Sequence, residues 1–224
     1  MTGSRSDIAI VDTGLSNLAS VEAAFRRSGI ETRRTIDPQV VRAADGVVLP
    51  GVGHFAEGMR RLRAADIVGA IRARIDADRP TLAICLGMQL LAEESDEAPG
   101  VAGIGVIPGR VRRLPPARIR PHLGWNLVRA SSGSPEPRML VEDGAAAFAN
   151  GFALDAAPAG WATAWSDDHG PFVAAVERGR VLACQFHPEI SGRWGGALLG
   201  AWIHGAWIHG GRIHGARTEV PTCC

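Results

Sequence analysis

In the first half of the chain, short apolar runs alternate with stretches that repeat their apolar residues at helical spacing. Asp7 to Val11 (D-I-A-I-V) predicts a first strand, followed by a turn at Asp12 to Gly14. Leu18, Val21 and Phe25 predict a helix, with Ser16 or Asn17 as its cap and Gly29 as its stop. Ile30 to Ile36 reads as an edge-like strand closed by Asp37-Pro38. Gly46 to Leu49 (G-V-V-L) shows little alternation, as expected of a strand covered on both faces. The tight loop Pro50-Gly51-Val52-Gly53 follows, then a helix through Met59 and Leu62 and another from Ile67 to Ile75. Thr81 to Ile84 is again a buried strand, and a helix starts over Met88 to Ala92 almost at once. This alternation predicts an α/β fold with a mostly parallel central sheet flanked by helices.

The second half changes character. Between Gly103 and Phe186 the segments are short, rich in Val, Ile and Trp, and punctuated by Gly and Pro. Gly109 to Leu114, Leu123 to Val128, Ala145 to Phe152, Trp161 to Trp165, Phe172 to Val176 and Arg180 to Phe186 predict antiparallel or mixed strands that extend the sheet. Ser131 to Arg138 reads as a surface loop, and Trp194 to Trp202 as a closing helix. A-W-I-H-G then occurs twice from Ala201, followed by G-R-I-H-G. These His residues fall five apart, an advance of about 140° on a helix, so they share no face and make a poor metal site. We therefore expect one domain over residues 1–200 and a repetitive tail over 201–224 that extends the last helix and frays.

Composition narrows the setting. The 224 residues are 46% hydrophobic and 21% charged, enough for one ordinary core. A net charge of +1 argues against nucleic acid and membrane surfaces as partners. No leader pattern is apparent, and no apolar run approaches the ~20 residues of a membrane span. Cys85, Cys184, Cys223 and Cys224 fit neither a disulfide framework nor a metal site. The expectation is a soluble cytoplasmic protein without metal or cofactor.

One stretch carries chemistry. From Thr81 to Ala92 a strand turns sharply into a helix at Cys85. The turn lifts that residue out of the sheet and sets it beside unpaired N–H groups and the positive end of the helix dipole. Such surroundings favour a thiolate, the reactive form of cysteine. Ala83, Cys85 and Gly87 match the small-x-nucleophile-x-small spacing of a nucleophile elbow. A cysteine nucleophile needs a base, and the base needs an orienter. Of seven His, only His187 ends an apolar strand with a carboxylate, Glu189, two residues on. In extended geometry the two side chains face the same way. Acyl transfer also needs N–H donors for the developing oxyanion. Leu86, directly after Cys85, supplies one, and the glycine-rich loop at Gly51 to Gly53 is a candidate for a second.

With these residues in place, the chain resembles the class I (triad) glutamine amidotransferases, and within them the glutaminase subunits of imidazole glycerol phosphate synthase. Ile10 to Val21, L-P-G-V-G-H-F from Leu49, I-C-L-G-M-Q-L-L from Ile84 and Q-F-H-P-E from Gln185 carry the resemblance, with P-H-L-G-W-N (Pro121 to Asn126) marking the subfamily. It spans about Asp7 to Leu199 and excludes the tail. The resemblance implies that Cys85 attacks the glutamine side-chain amide, His187 moves the proton, and water hydrolyses the thioester. It implies glutamine-binding roles for Gln89 and Gly51 to Gly53, with Val52 as an oxyanion donor after a peptide rearrangement. The ammonia would pass to a separate (β/α)8 cyclase subunit in histidine biosynthesis, which also stimulates the glutaminase. Asn17, His54 and Trp125 are then candidates for the interface of that heterodimer.

Some positions depart from the family pattern. Thr13 and Ser16 alter the first motif, Phe148-Ala149-Asn150-Gly151-Phe152 stands for F-V-H-S-Y, and Ile190 replaces a Lys that resembles a cyclase contact. A non-catalytic amidotransferase-like regulatory subunit and a glutaminase serving another synthase are the alternative readings.

Overall fold

The computed structural model describes residues 7–115, 122–130, 139–168 and 170–208. In chain order the first half contains β1 (Ile8–Val11), α1 (Leu18–Arg27), β2 (Thr32–Thr35), α2 (Pro38–Ala43), β3 (Gly46–Gly51), α3 (Phe55–Ala64), α4 (Val68–Asp76), β4 (Thr81–Cys85), α5 (Leu86–Leu91) and β5 (Ala92–Ser95). The second half adds β6 (Ile107–Arg113), β7 (His122–Ala130), β8 (Gly144–Asn150), β9 (Phe152–Leu154), β10 (Ala162–Asp167), β11 (Pro171–Arg178), β12 (Val181–Cys184), a single 3-10 turn (Pro188–Ile190) and α6 (Gly192–Ile208).

The main sheet has the order β2-β1-β3-β4-β12-β11-β10-β7-β8. From β2 to β12 neighbouring strands pair in parallel, and from β12 to β8 they pair antiparallel. Every residue of β1, β3, β4 and β12 is buried, which is why these runs lack alternation. Their side chains nonetheless alternate between two core layers. Val11, Leu49 and Ala83 pack with α3 and α4, while Ile10, Val48 and Ile84 pack with α1 and α6. Asn17 caps α1, accepting from the Ser20 N–H at 3.3 Å, and Gly29 follows the helix at φ +75.

Four expectations are corrected. Asp37-Pro38 does not only close a strand: Asp37 accepts from the Gln39 N–H at 2.7 Å and starts α2, with Pro38 at its first position. The helix after Cys85 ends at Leu91, and the chain re-extends as β5. There it pairs with β6, and β6 with β9, in a separate three-stranded sheet, so residues 109–114 do not extend the main sheet. A close backbone approach fixes this junction, since a Cβ on Gly103 would sit 2.1 Å from the Ala92 carbonyl oxygen. The segment read as one strand over 145–152 breaks at Gly151 into β8 and β9, which lie in different sheets.

α6 runs from Gly192 into the repeat that starts at Ala201. Within it Trp202 is buried edge-on against Phe25, and His204 is exposed. The loop expected over 131–138, His169, His209, His214, Cys223 and Cys224 lie outside the described residues. Among the described residues no helix is long and apolar enough to cross a membrane.

Candidate active site

Three adjacent parallel strands bring the site together. Gly51 of β3 lies in register with Cys85 of β4, and Ile84 with Cys184 of β12. The glycine loop, Cys85 and the residues after Cys184 therefore emerge side by side at the carboxyl ends.

Cys85 stands at φ +53, ψ −111, a left-handed conformation that a residue with a side chain rarely adopts. This kink turns β4 into α5 and presents the thiol at the head of the helix. Two glycines make room for it. A Cβ on Gly87 would lie 1.9 Å from the Leu49 carbonyl oxygen, and one on Gly51 would lie 3.1 Å from the Leu86 Cβ. The glycine two residues after the nucleophile is thus a packing requirement between α5 and β3.

His187 and Glu189 meet, by a geometry other than the expected one. The chain is extended at His187, but Pro188–Ile190 forms a 3-10 turn, and His187 Nδ1 lies 2.8 Å from Glu189 Oε1. Ser191 pins the turn to β8, accepting from the Ala147 N–H at 3.0 Å and donating to the His187 carbonyl at 2.6 Å. The His187 N–H donates to the Ala147 carbonyl at 2.9 Å, and Arg27 of α1 donates to the Glu189 carbonyl at 3.2 Å. Burial alone would lower the His187 pKa. Hydrogen bonding to Cys85 and Glu189 outweighs it and raises that pKa to about 10. The site therefore favours an imidazolium, the partner a thiolate needs.

The rest of the site is a set of side-chain amides. Gln89, 6% exposed, donates from Nε2 to the Phe152 carbonyl and to Gln185 Oε1, both at 2.9 Å. Gln185, fully buried, donates from Nε2 to Cys85 Sγ at 3.7 Å. Asn150, 4% exposed, donates to the same Phe152 carbonyl at 3.2 Å, and its Oδ1 has no partner among the described residues. The sequence assigns no role to Gln185, and it marks Asn150 only as a departure from the family pattern. Gln185 stands in Q-F-H-P-E, but only the register of β12 against β4 sets it beside Cys85.

Leu86 heads α5, where helix geometry leaves an N–H without an intrahelical acceptor. The second proposed donor is engaged elsewhere, because the Val52 N–H donates to the Leu15 carbonyl at 2.6 Å. Gly53, at φ +101, supplies the conformational freedom beside it. The residues expected at an interface are spread around this end. Asn17 and His54 cap α1 and α3, and the His54 ring accepts from the Ala56 N–H at 3.2 Å. Trp125 is 61% exposed on β7, in line with exposed Leu123 and Leu127, and Ile190 is 53% exposed. Among the described residues no group of three or more His, Cys, Asp or Glu converges as metal ligands would.

Comparison with known proteins places the chain in a family. The family described as "Glutamine amidotransferase class-I" matches residues 9–201. The imidazole glycerol phosphate synthase subunit HisH of Symbiobacterium thermophilum is 43% identical over 195 residues, covering 87% of this chain and 92% of that protein. HisH of Mycobacterium tuberculosis is 39% identical over 203 residues, covering 88% and 96%. Among solved structures, a glutamine amidotransferase superposes with a TM-score of 0.71 at 18% identity, over 89% of this chain and 98% of that one. The glutaminase domain of Trypanosoma brucei CTPS with bound acivicin reaches 0.64 at 18% identity, over 90% and 93%. At such identity the structures speak for the fold alone.

Proposed function

The chain belongs to the class-I glutamine amidotransferases and, among them, to the HisH glutaminase subunits of imidazole glycerol phosphate synthase, and on that premise we propose how its own residues hydrolyse glutamine. Cys85 Sγ attacks the side-chain amide carbon of glutamine. The oxyanion that forms is held by the Leu86 N–H and by Val52, once the Val52 peptide leaves the Leu15 carbonyl. His187, oriented by Glu189, protonates the departing ammonia, and a glutamyl thioester remains. His187 then takes a proton from water, water oxygen bonds to the acyl carbon, the C–S bond breaks, and glutamate leaves. Glutamine donates its N–H groups to two amide oxygens, Gln89 Oε1 and Asn150 Oδ1. Both Gln89 hydrogens are already committed to Phe152 and Gln185, and Asn150 Oδ1 is buried without a partner among the described residues.

The ammonia feeds a cyclase subunit in histidine biosynthesis. The exposed apolar stripe Leu123, Trp125 and Leu127, with Ile190, suits a protein partner. Asn17 and His54 flank the Leu15–Val52 contact, so a partner seated there could free the Val52 N–H.

The observation that carries this reading is the His187–Glu189 pair at 2.8 Å, coupled to a thiol held at φ +53. Its test is glutamate release from glutamine by the chain mixed with a cyclase subunit. Cys85→Ala should abolish it, and release that survives the substitution sinks the assignment.

A further inference from the structure

We propose that Gln185 is a positioning residue of this site: its side-chain amide fixes the orientation of Gln89 and presents an N–H to the Cys85 sulfur. The proposal rests on the reading of Cys85 as the nucleophile.

The direction of each amide follows from the acceptor at the far end of the chain. The Phe152 carbonyl can only accept, so Gln89 must turn its NH2 toward it, at 2.9 Å. The second hydrogen of that NH2 then meets Gln185 at 2.9 Å, so Gln185 must offer its Oε1 there. That leaves the Gln185 NH2 facing Cys85 Sγ, 3.7 Å away. Flipping Gln185 would set two NH2 groups against each other and a carbonyl oxygen against the sulfur. A single backbone carbonyl on β9 thus dictates the polarity of two buried side chains and delivers a donor to the thiol. Asn150 occupies the other lone pair of that carbonyl, at 3.2 Å, and reinforces the same polarity.

The chemistry gives this donor a purpose beside that of His187, whose proton comes and goes during the cycle. His187 surrenders its proton to the departing ammonia and then accepts one from water. Gln185 keeps its hydrogens throughout. When the thioester breaks and the sulfur leaves as a thiolate, an uncharged donor is still directed at it. The other titratable groups that interact with this sulfur are His187 and, on the neighbouring strand, Cys184. Gln185 is fully buried, so no water replaces the bond if it is removed.

The test uses Gln185→Glu and Gln185→Leu, each mixed with a cyclase subunit. It reads kcat and KM for glutamine, and the pH profile of Cys85 alkylation by iodoacetamide, located by peptide mass. Gln185→Glu keeps an acceptor for Gln89 but offers the sulfur no N–H. Its KM should stay within about threefold, while kcat falls roughly ten- to hundredfold, as expected for a hydrogen bond to a charged group. Its alkylation profile should move to higher pH. Gln185→Leu also frees Gln89, so its KM should rise as well. Because Leu adds no charge, a shifted alkylation profile in this variant separates a lost donor from an added repulsion. Gln185→Met, of similar length, takes its place if the Leu variant does not fold. A Gln185→Leu (or Gln185→Met) alkylation profile that matches the parent overturns the proposal, whatever happens to KM and whatever Gln185→Glu does. Failure of the underlying reading looks different, since glutamate release would then survive Cys85→Ala.

Discussion

Two neighbouring strand ends in this molecule carry a cysteine each, and they could hardly differ more in chemistry. Cys184 ends β12 and lies in register with Ile84 of β4. It keeps strand geometry, is fully buried, and donates from Sγ to the Ala83 carbonyl at 3.6 Å. Burial pushes its thiol well above the ordinary range, and the charges of Glu189 and Cys85 add to that. Cys85 lies one position beyond Ile84, but its backbone turns to φ +53 and starts a helix. Both thiols sit in the same core layer, and Glu189 acts on Cys184 directly and faces Cys85 through His187. What separates them is the turn, which points one sulfur at a base and leaves the other inside the sheet. Reactivity here is a property of the backbone before it is one of the residue.

The heaviest blow to that distinction is Gly87→Ala. The added methyl would lie 1.9 Å from the Leu49 carbonyl oxygen and 2.9 Å from its carbon, and backbone cannot swing aside as a side chain can. Overpacking of this kind costs roughly 3 kcal/mol or more. The melting temperature should fall by about 6 °C or more, at roughly 2–4 °C per kcal/mol for a chain of this size. Displacement of the elbow by about an ångström should also cut glutamine hydrolysis about a hundredfold. Melting and turnover that both match the parent would mean the elbow tolerates a looser turn than the geometry implies.

A smaller effect comes from the orienter. In the folded chain the His187 pKa stands at about 10, against 6.5 ordinarily. A raised folded pKa means that protonation stabilises the fold. This contribution is complete below about pH 6.5 and is lost as the pH climbs through about 10. Glu189→Gln removes part of it while preserving shape. The parent should therefore melt above the variant by the widest margin near pH 6, and the gap should close toward pH 10. A gap that widens with rising pH would contradict the charge pairing. Turnover should fall in the variant as well, because the imidazole loses the carboxylate that holds its tautomer.

How far the sequence could be read depends on whether a feature is local. The buried runs of β1, β3 and β4 are legible because their composition alone demands cover on both faces. The elbow is legible from Ala83, Cys85 and Gly87, whose spacing is itself the steric rule. His187 and Glu189 are legible as a pair, yet a 3-10 turn rather than an extended chain joins them, since Pro188 and the Ser191 bonds to β8 bend the backbone there. α2 and β5 are short, at 6 and 4 residues, and short elements leave little periodicity to detect. Register lies beyond any local pattern. Gln185 beside Cys85, Phe152 against Gln89 and the Leu15 carbonyl on Val52 all join residues that only the assembled sheet brings together.

The mildest test addresses Cys184 itself. If burial within a regular strand is what silences it, Cys184→Ala should leave glutamine hydrolysis within about twofold of the parent. It should cost about 1 kcal/mol of stability, the scale of a small buried group lost from a packed site. Iodoacetamide applied to the folded parent should modify Cys85 and spare Cys184 until the chain unfolds, which peptide mass reads directly. Modification of Cys184 at a rate near that of Cys85 in the native state would break the comparison. It would mean that the strand end of β12 opens on the timescale of the reagent, and that position in the sheet rather than the turn governs both sulfurs.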